Sequence, residues 1–559
     1  VVNLEYNGGR VLLSTKDLPF TNGLDQEGIK VSLSFEEERI WGEISQKKGD
    51  IVERVELEFE IKGEFTFFKN GFQSWSPSCE VKGNLREPKV LIKSLRLHWD
   101  DPGYLEEVPY FSRSHFFTYL KGQDGYLFLE ARDLPIPLVH FLFQGKKLKV
   151  VSEICKSGPI SFPFLDLKIE RFTSLKPGSR REKRVFGWTS WYYYFQRVRP
   201  EDVEFNLDLS RKFPFPLDYF QIDDGWERAI GDWEENEKFR GKLGGLAQKI
   251  RDKGYKAGIW LAPFIVEKRA ENFRKREWLL KGKEGKPLVA GFNPVWGGHF
   301  FALDPTHPEV QEYLKERISY FRGLGFDFFK MDYLYSLALP GTRFKENLSR
   351  REAIGVGLEI LRSACGSGEI LGCGGPLLNS TIYNFLRIGP DTADCWENKI
   401  IRLAGHIGGV EAKGSLSNTI NRFFLDGKWW NSDPDVLILR KGKMSPQQRR
   451  TLILSNFFLS RFHFYSDPLD RVPKETLKLL EELKAYQDFV LNEGIPGDFF
   501  TFRGECAGKE ILGFINLEAL PHSLNIPPGY REIFSQGKGE TLLPFQTRIF
   551  SREKGAAEG

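Results

Sequence analysis

Lys330 and Asp332 stand two residues apart at the end of an aromatic run, in Gly325-Phe-Asp-Phe-Phe-Lys-Met-Asp-Tyr-Leu-Tyr335. On a strand, residues i and i+2 share a face, so this ammonium and this carboxylate are predicted neighbours. Other β-prone runs also end in polar or aromatic side chains. One ends in Asp223-Asp224, one in Trp260 and one at Cys373. Another runs into Arg387-Ile-Gly-Pro-Asp391, and the first carries Trp188 and Trp191. The set has acids, one lysine, one arginine and several tryptophans, with no Ser–His pair. Acid pairs beside indole faces suit a sugar: carboxylates accept its hydroxyl protons and indoles cover its C–H surface. Two separated carboxylates can also cleave a glycosidic bond, one attacking the anomeric carbon and the other protonating the leaving oxygen. Blander readings stand beside these. Lys330–Asp332 reads equally as a structural ion pair, Asp223-Asp224 as a helix cap, Asp391 as a turn residue after Gly-Pro, and Cys373 as a small core residue.

A (β/α)₈ barrel would bring such strand ends together, since its chemistry sits at the C-terminal mouth. From 176 onward strand-like and helix-like runs alternate. The predicted strands are Val185–Trp191, Asp218–Ile222, Lys256–Trp260, Phe326–Met331, Ile370–Gly374, Phe385–Ile388, Val436–Leu439 and Phe462–Tyr465. Helix-like stretches lie between them, as in Lys242–Lys253, Pro308–Leu324 and Arg350–Ala364, with a long insert between the third and fourth strands. A doubly wound open sheet is the rival, but no Gly-x-Gly-x-x-Gly opens a helix after a strand. The amphipathic stretch Lys474–Val490 reads as the last barrel helix. Residues 1–175 read as a large β-sandwich, from short alternating runs such as Val55-Glu-Leu-Glu-Phe-Glu-Ile61. Residues 493–559 read as a small β domain, with a frayed tail over Glu553–Gly559. Within the first region, Asn70-Gly-Phe-Gln-Ser-Trp-Ser-Pro-Ser78 is a loop, and Trp75 by itself reads as tucked into its own domain.

The 559 residues are 41% hydrophobic and 14% aromatic, enough for several cores. Lysine and arginine number 80 against 76 acids, with no basic stripe, which argues against nucleic acid. No apolar run reaches the ~18–20 residues of a membrane span. The start, Val-Val-Asn-Leu-Glu-Tyr, lacks signal-peptide character, and without a Met it leaves a trimmed leader open. Six scattered cysteines form no Cys-x-x-Cys pair, which favours a reducing, cytoplasmic setting. Two methionines and 28% charged residues hint at heat adaptation.

These segments together resemble glycoside hydrolase family 36, the microbial α-galactosidases, in its shorter form. The matching segments are Asn70-Gly-Phe-Gln-Ser-Trp75, Gly187-Trp-Thr-Ser-Trp191, Gln221-Ile-Asp-Asp-Gly-Trp226 with Gly231-Asp-Trp233, and Gly258-Ile-Trp-Leu-Ala-Pro263. Lys330-Met-Asp332, Gly372-Cys-Gly-Gly-Pro376, Arg387-Ile-Gly-Pro-Asp-Thr392 and Trp430-Asn-Ser-Asp-Pro-Asp435 follow in the family's order. The resemblance implies a β-sandwich, a barrel and a C-terminal β domain, and a retaining exo-α-galactosidase for sugars of the melibiose and raffinose type. It assigns Asp332 as nucleophile and Asp391, 59 residues later, as acid/base. It assigns Asp223 and Asp224 to the O4 and O6 hydroxyls. Lys330 goes to the ring hydroxyls, its charge favouring the carboxylate form of Asp332. Arg387 and Cys373 go to the 2-hydroxyl side. Trp188, Trp191 and Trp260 become walls of the sugar pocket, and Trp75 a residue reaching over the barrel mouth. It implies no cofactor or metal, and a monomer or homodimer. Thr189, Tyr192 and Leu261 depart from the family pattern; they are expected to leave the chemistry alone and to affect aglycone preference. The alternatives are an α-N-acetylgalactosaminidase, a galactosyl-transferring synthase, a non-catalytic carbohydrate-binding protein and, more distantly, an α-glucosidase of a related clan.

Overall fold

The computed structural model describes residues 2–83, 97, 100–104, 112–132, 137–179, 183–399, 409–497, 499–534 and 539–554. The end of the tail expected to fray, 555–559, lies outside them.

Among the described residues up to 172, two antiparallel sheets form, one of six strands and one of eight. Their shared core draws on alternate positions of both. Val55, Leu57, Phe59 and Ile61 come from one sheet, and Ile44, Leu165 and Leu167 from the other. The alternation that reads as strand in the sequence is therefore the sandwich interior.

The next strands are all parallel: Val185–Thr189, Tyr219–Ile222, Lys256–Leu261, Phe326–Met331, Glu369–Gly372, Phe385–Arg387 and Phe462–Tyr465. The seventh barrel strand comes in two pieces. Asn431–Asp433 pairs with the sixth strand and Val436–Leu437 pairs with the eighth, so the sheet closes on itself through both. This corrects the expected Val436–Leu439. Pro434 has no N–H for the ladder and Asp435 sits at φ 78°, so the strand breaks between them. The aromatic rings of Tyr219, Phe328, Phe385, Phe462 and Phe464 pack against one another through the barrel interior, mostly tilted or edge-on. Gly187 makes room for this layer: a Cβ there would lie 2.3 Å from the Phe464 ring. With Phe328 facing inward, the pleat also turns Lys330 inward, toward the mouth.

A three-stranded antiparallel sheet, Ile265–Glu267, Val289–Asn293 and Gly298–Ala302, forms the insert after the third barrel strand. The helix expected over Lys474–Val490 ends sooner: it runs Lys474–Leu483, then one tight turn, Lys484–Tyr486. A five-stranded sheet begins at Val490, three residues ahead of the expected boundary. Phe458 packs it to the barrel through Phe489, Phe502 and Phe534. No helix among the described residues is long and apolar enough to cross a membrane.

Candidate active site

The fourth strand delivers Lys330 and, just past its end, Asp332. The backbone N–H of Asp332 still donates to Leu261 O at 2.8 Å, continuing the ladder from the third strand. Then Tyr333 turns left-handed, at φ 56°, and ends it. That turn aims the Tyr333 N–H at Asp332 Oδ1, 2.7 Å away. The other oxygen, Oδ2, accepts the Trp260 indole N–H at 3.1 Å. Asp332 is thus held by two N–H donors while remaining partly open to the mouth. Strain beside a reactive side chain is a common feature of functional sites.

Lys330 forms no ion pair with Asp332, against the structural ion-pair reading, although the Asp332 charge still bears on it. Its ammonium lies 2.8 Å from Asp223 Oδ2, both side chains being buried. Burial works against this ammonium, but the Asp223 charge overrides it and holds it above its ordinary value. Asp223 also accepts Gln221 Nε2 at 2.7 Å and the Thr189 hydroxyl at 3.2 Å. Its neighbour Asp224 accepts two contacts from Gln196 Nε2, the nearer at 3.0 Å, and the Trp296 indole N–H at 3.3 Å. Burial pushes the Asp224 carboxyl up, while a hydrogen bond to Glu227 pulls it back. Glu227 is held well above its ordinary value, by burial and then by Asp224. Of this buried pair, Glu227 is the carboxyl whose acid form is favoured more strongly.

Asp391 follows the sixth strand. Arg387 Nη1 lies 3.0 Å from its Oδ1, and the Tyr192 hydroxyl donates to the same oxygen at 3.1 Å. Burial pushes the Asp391 carboxyl up against the pull of Arg387 and Lys330, and Asp332 adds to the push. Arg387 also meets Asp433 at 2.9 Å and Asp435 at 2.8 Å. Cys373, 1% exposed at the end of the fifth strand, lies among these groups; burial and then the Asp332 charge push its thiol up.

The loop carrying Trp75 is anchored in the sandwich at its start, where Asn70 Nδ2 donates to His115 O at 2.9 Å, and docks on the barrel further along. Ser74 donates its N–H to Gly375 O at 3.2 Å and accepts the Gly374 N–H on its hydroxyl at 3.0 Å. A Cβ at Gly374 would lie 3.4 Å from Asp332 Oδ1, so this contact is at the mouth.

One predicted tryptophan stands apart from this group. Trp188 stacks on Phe220, with ring centroids 4.4 Å apart, behind the sheet. Its neighbours Gly187 and Thr189 face the interior, so the pleat turns Trp188 outward, and it does not wall the pocket. Trp191, partly buried, lies edge-on to the exposed Phe195 with centroids 5.2 Å apart. Tyr192 and Thr189, expected to leave the chemistry alone, instead touch Asp391 and Asp223. Glu227, Trp296, Asp433 and Asp435 had no role in the sequence reading. The last two lie inside the Trp430–Asp435 segment, an acid pair with the same i, i+2 spacing as Lys330 and Asp332. Trp296 comes from the insert and carries no signal of its own.

The chain can now be set beside known proteins. A model of the glycosyl hydrolases family 31 TIM-barrel domain matches residues 183–351. The α-galactosidase TtGalA of Thermus thermophilus, solved with p-nitrophenyl α-D-galactopyranoside, superposes with a TM-score of 0.70 at 27% identity, covering 89% of this chain and 98% of that one. The family 36 α-galactosidase AgaA of Geobacillus stearothermophilus, solved with stachyose, gives a TM-score of 0.61 at 12% identity, covering 99% and 87%. The fold is that of a family 36 α-galactosidase. AgaA is 30% identical in sequence over 160 residues, 26% of this chain and 20% of AgaA. The matched stretch thus spans a fifth of that curated relative's length. The family 31 match and these α-galactosidase folds both set the barrel beside those of glycoside hydrolases.

Proposed function

We propose that the protein is a retaining exo-α-galactosidase. The observation that carries this reading is the contrast between two carboxyls at the barrel mouth. Asp332 accepts N–H donors on both oxygens, the setting of an anionic nucleophile. Asp391 is pushed up by burial, the setting of a proton donor. The TtGalA and AgaA complexes, which hold p-nitrophenyl α-galactoside and stachyose, support an α-galactoside as substrate, with melibiose and raffinose as natural types.

In the first step an Asp332 oxygen bonds to the anomeric carbon as the bond to the leaving oxygen breaks, and the Asp391 proton passes to that oxygen. Asp391, now a carboxylate, meets Arg387. In the second step Asp391 takes a proton from water, whose oxygen displaces Asp332 and restores the α configuration. Asp223 and Asp224 are the acceptors for the O4 and O6 hydroxyls, with Lys330 beside them and Trp260 as the wall. Six free cysteines support a reducing, cytoplasmic setting. A monomer or homodimer is the proposed assembly.

A second reading, an α-glucosidase of the related clan, has the family 31 match over residues 183–351 in its favour. One panel separates them: p-nitrophenyl α-galactoside, α-glucoside and α-N-acetylgalactosaminide, each with a chelator present. Fast release from the galactoside alone supports the proposal; release from the glucoside alone favours the second reading.

A further inference from the structure

One guanidinium serves three carboxyls beneath the barrel mouth. Arg387 contacts Asp391, Asp433 and Asp435 at 3.0, 2.9 and 2.8 Å. Arg387, Asp433 and Asp435 are each about 1–2% exposed. Asp433 reaches it as its register partner on the adjacent strand, and Asp435 reaches it because the seventh strand breaks. Asp433 ends the first piece, and the left-handed Asp435 swings its carboxyl back toward the axis. The break is stitched: the Asp435 N–H donates to Asp433 Oδ1 at 2.7 Å, and the Thr392 N–H donates to Asp435 Oδ2 at 2.6 Å. Thr392 is the residue after Asp391. Left-handed backbone at a non-glycine residue is costly, so the arrangement is one the fold sustains against its local preference.

We propose that the Asp433–Asp435 pair is a positioning device for Asp391, competing with it for Arg387 and so setting how tightly Asp391 holds its proton. This rests on the reading of Asp391 as the acid/base. The competition follows from charge. Three anions against one cation in a buried site leave an excess of negative charge, and like charges at this range cannot all persist. The other groups facing the cluster are Tyr192 from behind the first strand, Lys330 and Asp332 from the fourth, and Cys373 from the fifth. Lys330 is already committed to Asp223. The cluster therefore keeps a proton.

Burial pushes Asp435 up to about 7 against the pull of Arg387, with Asp391 and Asp433 adding to the push. While Asp435 holds a proton, the guanidinium is free to stabilise the carboxylate that Asp391 becomes after protonating the leaving oxygen. When Asp435 ionises, it draws on Arg387 and strengthens the hold of Asp391 on its proton. The pair thus extends the alkaline range over which Asp391 can act as an acid.

The test is the pH profile of kcat/KM for melibiose and for an activated aryl galactoside, measured on Asp435→Asn and Asp433→Asn. Either substitution removes a competing anion, so Asp391 should lose its proton more readily. The alkaline limb with melibiose is expected to move down by about one pH unit, a tenfold loss on that limb. The 2,4-dinitrophenyl galactoside, whose departure needs no proton, should keep its profile. Two variants guard against one failing to fold. An unmoved limb in a folded variant would overturn the proposal, as would an equal loss at all pH values with both substrates. Asp391→Ala tests the reading beneath it separately: undiminished melibiose turnover in that variant would remove the acid/base assignment whatever the limb does.

Discussion

The indole N–H of Trp260 donates to Asp332 Oδ2 at 3.1 Å, joining the ends of the third and fourth barrel strands. Trp260 is 2% exposed and wedged between Trp233 and Trp296, with centroids 5.9 and 6.2 Å away. Its ring is fixed by packing, so its N–H is aimed before any substrate arrives. Such preorganised donors hold a carboxylate without reorganisation cost.

Trp260→Phe keeps most of the packing and removes this donor. A hydrogen bond to a charged group contributes about 1.5–3 kcal/mol, which converts to roughly a 10- to 160-fold loss in kcat/KM. Steady-state kinetics on p-nitrophenyl α-galactoside would check this. A loss below about twofold would mean that Tyr333 N alone orients Asp332.

Much of this arrangement is legible in the sequence, because barrel strands are short apolar runs ending in polar residues. Phe326–Met331 and Phe462–Tyr465 have the bounds their composition suggests. Periodicity fails where one residue breaks it. Pro434 splits the seventh strand, and no pattern of apolar residues announces a strand of three residues followed by one of two. Trp188 shows a second limit. Its type suits a sugar wall, but the pleat decides which face it takes, and a single-residue offset reverses it. The partner of Lys330 is a third case. Spacing makes Asp332 the nearest acid along the chain, while barrel closure brings Asp223 closer across the axis. Contacts such as Trp296 to Asp224 depend on where the insert folds, which local composition does not encode.

Glu227 offers a test in stability. Burial and the Asp224 charge hold its carboxyl well above its ordinary value, so the folded protein keeps a proton that the unfolded chain releases near about pH 4.3. Between those two pKa values the unfolded state binds fewer protons, and stability falls as pH rises. Glu227→Gln carries no such penalty, and its amide can still donate to Asp224. The variant should match the parent below about pH 4 and gain on it at higher pH, by up to about 1.4 kcal/mol per unit. Denaturant unfolding across that range checks this; a gap independent of pH would mean that no proton is held there.

Arg422 clamps the Trp75 loop to the barrel. Fully buried, it donates to Ser74 O at 2.7 Å, Ser76 O at 2.6 Å and Ser78 Oγ at 3.0 Å, and also to Ile388 O. Arg422→Met leaves those acceptors buried and unmet, at about 1–3 kcal/mol for each that finds no substitute. The thermal midpoint should fall, and KM for melibiose should rise several-fold as the loop loosens over the mouth. Calorimetry with Michaelis kinetics would report both; an unchanged KM would detach the loop from substrate binding.

The central claim is that Asp332 forms the bond to the sugar. Asp332→Gly should abolish hydrolysis of an aryl α-galactoside, and added azide should restore some turnover by entering the vacated space from the face opposite the leaving group. The most direct measurement is the anomeric configuration of the azide product by NMR. A β-galactosyl azide is the expected result. An α-galactosyl azide, or no rescue at all in a folded variant, would contradict the assignment of Asp332 as nucleophile.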